Sequence, residues 1–475
     1  MNAFYSVHIT DGWLPALLFW LCVGLVVLLI VTQLGRGTRD AVAVQAAHES
    51  NTPHHKKYRS PRHRLVLELI IAVITGLVGF GIAAFLSEVI NAFGVSLGWE
   101  VIRTIGLGLG VVGFGVAALI FARRWRKIFA ALLVVVSLLT TAMGVNMIYG
   151  EYKTIGSIFN YDDSLNFSSA DLRVNQAISV EEWKQEHASG RGQHYPDEGR
   201  RYTVNIPNTA SGFHARKAIV WLPPAAFAAR PPKLPVMVML AGNPGSPGRY
   251  FQASNTVSLL EQYAKDHYGM APIVVSPDQN GSDQINSLCA DTATHGKAET
   301  YLTVDVPNWI KQHLPVEDAA SQWTIGGFSQ GGTCAVQLGP NHPNLFSYMV
   351  PVDTELEPTN GTVEKMVAQD FAGDRAAFER QIPTNAFRRH ATPEQTLIIG
   401  AGAEDAESIN NMITIGRVAR ESGVHVTELI SRDAGHTWKA VNQVFAWALP
   451  WIATQQGLGD HAAPITDYPA LEERQ

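Results

Sequence analysis

Gly327-Phe328-Ser329-Gln330-Gly331 lies between an apolar run, Trp323–Gly326, and a stretch of helical character that opens at Gln330. A serine hydroxyl is a weak nucleophile until a base takes its proton. Glycines on both sides allow the tight strand-to-helix turn that lifts such a serine clear of its surroundings. The helix that follows offers backbone N–H groups and the positive end of its dipole. Two segments downstream hold what the serine needs. The apolar run Thr396–Ile399 leads into Gly400-Ala401-Gly402-Ala403-Glu404-Asp405, and Val424–Leu429 leads into Asp433-Ala434-Gly435-His436-Thr437-Trp438. Ser329 is then the nucleophile of an acyl transfer. His436 is the base that takes its proton and returns it to the leaving group, and Asp405 orients the imidazole, with Glu404 in reserve. Each segment alone also reads as an ordinary turn. The order serine, acid, histidine, each at a strand end, weighs against that.

The negative charge that develops on the acyl oxygen needs two backbone donors. The N–H of Gln330 is one. The loop after Val236–Leu240, which reads Ala241-Gly242-Asn243-Pro244-Gly245, supplies the other through Asn243, since Pro244 has no N–H. Asp278, Asp283, Asp291 and His295 fall in the long loop after Pro272–Val275. Asp278 and Trp438 are the candidates for lining a substrate pocket. No metal ligand set and no cofactor motif stands out. His48, His54, His55 and His63 lie in a basic stretch without ligand spacing and read as a solvated linker.

The elements that must position these residues begin near Arg201. Short apolar runs alternate with helical stretches: Tyr202–Pro207, Lys217–Leu222, Val236–Leu240, Pro272–Val275, a helix over Ala298–Leu314, Trp323–Gly326, the helix from Gln330, Tyr348–Val352, a helix near Val363–Arg380, Thr396–Ile399, a helix near Glu407–Glu421, Val424–Leu429 and a last helix from Thr437 to about Ala453. Such alternation implies an α/β fold, a mostly parallel sheet covered by helices on both faces. With the ordered serine, acid and histidine it predicts an α/β-hydrolase fold over residues 201–456, followed by a polar, loose tail over 457–475.

From about Arg201 to Ile452 the chain resembles the putative-esterase (esterase D-like) family, to which the secreted mycolyltransferases belong. The resemblance rests on Leu240-Ala241-Gly242-Asn243, Glu299-Thr300-Tyr301-Leu302 through Pro307-Asn308-Trp309-Ile310, Gly327–Gly331, Glu404-Asp405 and Gly435-His436-Thr437-Trp438. It implies a serine esterase with Trp438 beside the active site. Mycolyltransferases carry charged sugar-contacting residues after the oxyanion strand. Asn243-Pro244-Gly245-Ser246-Pro247 stands there in this chain, which ranks hydrolysis above transfer to a sugar or lipid alcohol. A catalytically silent anchor on the same scaffold is a further alternative, and the full set of serine, acid and histidine argues against it. The N-terminal region lies outside this likeness and resembles that of membrane-anchored actinobacterial esterases.

Charged residues make up only 16% of the 475 residues, against roughly a quarter in ordinary soluble domains. The dilution lies in residues 1–150, where Leu14–Leu34, Leu65–Leu86, Val101–Ala122 and Ile128–Tyr149 are each long and apolar enough to span a bilayer. Arg36, Arg39, Lys56, Lys57, Arg59, Arg62 and Arg64 separate the first two runs, and Arg123, Arg124, Arg126 and Lys127 the last two. No Lys or Arg precedes Trp13 or occurs in Ser87–Glu100. The positive-inside rule places the basic loops in the cytoplasm and everything after Tyr149 outside it. The first run lacks a basic lead and a cleavage site, so it is expected to be retained. Residues 151–200 read as a linker or collar.

The net charge of −6 gives no reason to expect a nucleic-acid partner. Three cysteines do not make a disulfide scaffold, but Cys289 and Cys334 could meet in an oxidising compartment. The expected partners are the membrane and a lipid or glycolipid ester.

Overall fold

A computed structural model of the chain describes residues 2–49, 61–90, 92, 96–122, 124–161, 163–168 and 172–474. His54, His55, Lys56, Lys57, Arg59 and Arg123 lie outside the described residues, as do the side chains of Arg36, Arg39 and His48. The chain forms two compact units, Met1–Ile158 and Phe159–Gln475.

The first unit is built on four long helices: α1 (Trp13–Glu49), α2 (Pro61–Ala84), α3 (Trp99–Phe121) and α4 (Arg126–Tyr149). The segments Trp13–Gly35, Arg62–Val89, Trp99–Phe121 and Arg126–Tyr149 are long and apolar enough to cross a membrane. Leu77, Leu107, Ile120 and Ile128 each leave more than 60% of their surface uncovered. Apolar surface on that scale is stable against lipid and costly against water. Glycines let the helices approach. A Cβ on Gly76 would lie 3.1 Å from Gly106 O, and one on Gly113 would strike the Thr75 hydroxyl, as expected of helix packing without a hydrophobic drive. Arg126 belongs by sequence to a basic loop, yet it is the first residue of α4 and points inward. It donates to Thr32 Oγ1 (3.1 Å), Leu29 O (2.8 Å) and Gln33 Oε1.

The second unit is an α/β domain with a ten-stranded sheet. Its strands are β1 (Leu165–Asn166), β2 (Arg200–Val204), β3 (Ala218–Leu222), β4 (Val236–Leu240), β5 (Ile273–Ser276), β6 (Trp323–Phe328), β7 (Tyr348–Val352), β8 (Thr396–Gly402), β9 (His425–Ser431) and β10 (Leu471–Arg474). They lie in the order β1-β2-β3-β5-β4-β6-β7-β8-β9-β10. β5, β4, β6, β7, β8 and β9 are mutually parallel. β3, β4 and β6 are buried at every residue, which is why β3 and β4 read as unbroken apolar runs and β6 carries one polar residue, Thr324, rather than an alternating pattern. Parallel strands all end on the same edge, so the loops after β4, β5, β6, β7, β8 and β9 gather there.

Two segments differ from the sequence expectation. Of the stretch 151–200, expected to be a linker or collar, residues 159–200 belong to this compact unit. Ser179 caps the helix Val180–Ala188 through the Glu182 N–H, and Trp183 of that helix is fully buried. The tail is not loose. β10 adds an antiparallel edge strand to β9, with Leu471 buried and Arg474 paired to the buried Glu428. Leu-Glu-Glu-Arg has no alternating pattern because main-chain pairing and ion pairs, rather than an apolar face, hold it.

Candidate active site

β6 delivers Ser329 to the gathering edge, and helix α5 (Gln330–Asn341) leaves from it. Ser329 takes φ 55° and ψ −119°, a conformation that non-glycine residues avoid. It is held there by its N–H, which donates to Val352 O at 2.9 Å, and by its carbonyl, which accepts the Thr333 N–H at 2.8 Å. The flanking glycines are steric requirements. A Cβ on Gly327 or on Gly331 would sit 2.4 Å from Leu240 O, so any larger residue would push β4 away from the turn.

His436 lies in the loop between β9 and helix α6 (Trp438–Gln455), and Asp405 directly precedes the helix Ala406–Glu421. His436 Nε2 is 2.9 Å from Ser329 Oγ, and His436 Nδ1 is 2.9 Å from Asp405 Oδ2. Asp405 is fixed by its role as helix cap: Oδ1 accepts the Ser408 N–H at 3.1 Å and Oδ2 accepts the Ser408 hydroxyl at 2.5 Å. Gly402 makes room for this arrangement, because a Cβ there would lie 2.3 Å from Gly435 O. Glu404, the reserve acid, is exposed and takes no part in the relay. Burial alone would raise the Asp405 carboxyl, but the hydrogen bonds and charge of His436 and the bonds from Ser408 outweigh it and hold it below its ordinary value. Burial likewise opposes charge on His436. The hydrogen bond to Asp405 and the charges of Asp353, Asp405 and Glu355 outweigh that and lift it above an ordinary imidazole. This arrangement can take a proton from Ser329 Oγ, carry it on the imidazole and return it to a leaving group.

The loops that would supply the oxyanion donors flank Ser329. Gln330 is the first residue of α5, so its N–H belongs to the first turn, which has no acceptor within the helix. A Cβ on Gly242 would lie 3.5 Å from Ser329 Cβ, which brings the loop carrying Asn243 beside the serine. A third segment, 278–287, ties both together. Gln279 Nε2 donates to Ala241 O at 2.7 Å, Asn243 Nδ2 to Ile285 O at 3.0 Å, and Gln330 Nε2 to Asn286 Oδ1 at 2.6 Å.

The pocket candidates have other places. Asp278 is fully buried, and both its oxygens are spent on Arg216 and on the N–H groups of Asn280 and Gly281. It braces the strap over 278–287 and is not a wall open to substrate. Arg216 also pairs with Asp283 and donates to Gly245 O at 2.9 Å, so it links the strap to the loop of Asn243. Asp291 accepts from Thr300, and His295 faces Asp370. Trp438 is 1% exposed and lies 5.0 Å, ring to ring, from Phe328, which lies 5.0 Å from His436. It reaches His436 through the Phe328 ring that lies between them. The sulfurs of Cys289 and Cys334 are bonded, fastening the chain beyond the strap to α5.

The sequence reading missed the amides Gln279, Asn280 and Asn286, the cap Ser408, and Asp353. Only Asp353 carried a signal, an acid directly after a parallel strand, as Asp405 nearly is after β8.

The family model for putative esterases matches residues 213–452. The chain belongs to the putative esterase family. It is thus a carboxylic ester hydrolase. An uncharacterised protein of Corynebacterium glutamicum is 30% identical over 367 residues, covering 75% of this chain and 82% of that one. The short segment after residue 452 cannot account for all of the extra match, so the likeness reaches into the chain before residue 213. Solved structures with a similar fold include an S-formylglutathione hydrolase from Agrobacterium tumefaciens, with 17% identity, 56% of this chain and 99% of that one covered, and a TM-score of 0.44. Another is FphF, a fluorophosphonate-binding serine hydrolase of Staphylococcus aureus, with 18% identity, 54% and 99% covered, and a TM-score of 0.43.

Proposed function

We propose that this esterase is anchored in the cytoplasmic membrane and works outside the cytoplasm, cleaving an acyl or aminoacyl ester of a lipid or glycolipid through an acyl-enzyme on Ser329. The observation that carries the mechanism is the unbroken contact from Ser329 Oγ to His436 to the buried Asp405, each step at 2.9 Å. Ser329 Oγ attacks the acyl carbon as His436 Nε2 takes its proton. The oxyanion accepts the N–H groups of Gln330 and Asn243. The C–O bond to the alcohol breaks as His436 returns the proton to the departing oxygen. Water, deprotonated by the same imidazole, then cleaves the acyl-enzyme and restores the serine.

Two independent features support the side of the membrane. The basic residues lie between the first and second apolar helices and between the third and fourth, which by the positive-inside rule favours an external C-terminal domain. The Cys289–Cys334 bond is of a kind that persists in oxidising compartments. The anchor supports the substrate class, because a tethered site meets lipid esters at a raised effective concentration. Replacing Ser329 with Ala should reduce p-nitrophenyl ester turnover to background. Turnover that survives the change overturns the serine mechanism.

A further inference from the structure

The relay engages one carboxylate, yet a second is buried beside it. Asp353 directly follows β7, is fully buried and has a left-handed backbone, φ 50°. It is pinned there: its N–H donates to Gly400 O at 3.0 Å and Oδ1 accepts the Gly402 N–H at 2.8 Å. Oδ2 is buried and meets no hydrogen-bond partner among the described residues. An oxygen of Asp353, an oxygen of Asp405 and a ring nitrogen of His436 all lie within 4.8 Å of one another. An unsatisfied buried carboxyl is costly, and accepting the Gly402 N–H does not require an acid. The charged groups that act on Asp353 are His436, from the loop after β9, and Asp405, from the loop after β8. On its own segment stands Glu355, which acts on His436 and is itself flanked by Glu357 and Glu407. The one of these groups able to carry positive charge is the imidazole.

We propose that Asp353 is a positioning residue of the relay, a second buried carboxylate whose charge attracts the imidazolium form of His436 across this gap. The inference rests on the serine mechanism above. Asp405 holds His436 by a hydrogen bond, and Asp353 acts through space. Two close carboxylates resist joint ionisation. Burial first raises the Asp353 carboxyl, positive charge on His436 opposes that and the charge of Asp405 adds to it, and the balance lies at about 7. The three groups therefore titrate as a set. Charge that appears on the imidazole during attack meets a neighbour that can respond to it.

The test is the pH profile of kcat/KM for full-length Asp353→Asn in detergent, whose acid limb reports His436 in the free enzyme. Asparagine still accepts the Gly402 N–H. Loss of a carboxylate that favours the imidazolium should move the acid limb to lower pH by roughly half to one unit. A limb that stays in place in a folded protein, judged by a cooperative melting transition and retained fluorophosphonate labelling, overturns the proposal. Should Asp353→Asn not fold, Asp353→Ser serves, since a hydroxyl can still accept the Gly402 N–H. The same shift of the acid limb to lower pH is expected, and a limb that stays in place overturns the role. Activity surviving Ser329→Ala fails the serine mechanism itself. An unmoved acid limb with Ser329 still essential fails Asp353 alone.

Discussion

Gln330 and Asn280 grip each other in both directions: Asn280 Nδ2 donates to Gln330 Oε1 at 2.8 Å, and Gln330 Nε2 donates to Asn280 Oδ1 at 2.8 Å. Both residues are buried. The pair fixes the residue whose backbone N–H is assigned to the oxyanion. An Asn280→Ala change leaves the relay in place and loosens that donor. Because the oxyanion exists only during the reaction, kcat should fall roughly 10- to 100-fold with little change in KM. Steady-state kinetics on a p-nitrophenyl ester decides it, and an unchanged kcat contradicts the assignment of Gln330.

The Cys289–Cys334 bond joins positions 45 residues apart. On the chain-entropy account, closing a loop of that length stabilises the fold by up to about 4 kcal/mol. The double change Cys289→Ser and Cys334→Ser should lower the unfolding midpoint by a matching amount. Adding reductant should lower the wild type and leave the double variant where it is. Equal midpoints for the two proteins contradict the bond.

Asp353 also makes a prediction about stability. Its carboxyl is raised from 3.8 to about 7 in the fold, so the folded state holds this proton more tightly than the unfolded chain. The resulting stabilisation is full below the ordinary carboxyl range and is lost as pH rises toward about 7. Asparagine mimics the protonated form at every pH. Asp353→Asn should therefore gain stability over wild type between pH 5 and pH 8, on the order of 2 kcal/mol. Melting curves at the two pH values check it, and a difference that does not grow with pH contradicts the raised carboxyl.

The fold was legible in the sequence where burial is complete or nearly so. Val236–Leu240 and Tyr348–Val352 were delimited to the residue, because a strand covered on both faces is apolar throughout. β10 was not legible, since Leu471–Arg474 is held by main-chain pairing and by the Arg474–Glu428 ion pair. At the site, Ser329, Asp405 and His436 could be picked out because each stands at or within a few residues of the end of a strand, in the order serine, acid, histidine. The strap over 278–287 could not. Its residues matter through bonds to Ala241 and Gln330, contacts that span dozens of positions and leave no local pattern. The expectation for Asp278 failed for the same reason: its partner, Arg216, lies 62 positions away.

Topology can be tested without knowing the substrate. A reporter that is active only after export, fused after Gln475, should be active, and one inserted between residues 50 and 60 should be silent. The opposite pattern reverses the proposed orientation and moves the substrate to the cytoplasmic leaflet.

The central claim is that Ser329 Oγ, activated by His436, is the nucleophile. The most direct measurement is fluorophosphonate labelling of the full-length protein followed by mass mapping of the adduct. One adduct is expected, on the peptide containing Ser329, lost in Ser329→Ala and nearly lost in His436→Ala. An adduct on another residue, or labelling that survives Ser329→Ala, contradicts the account.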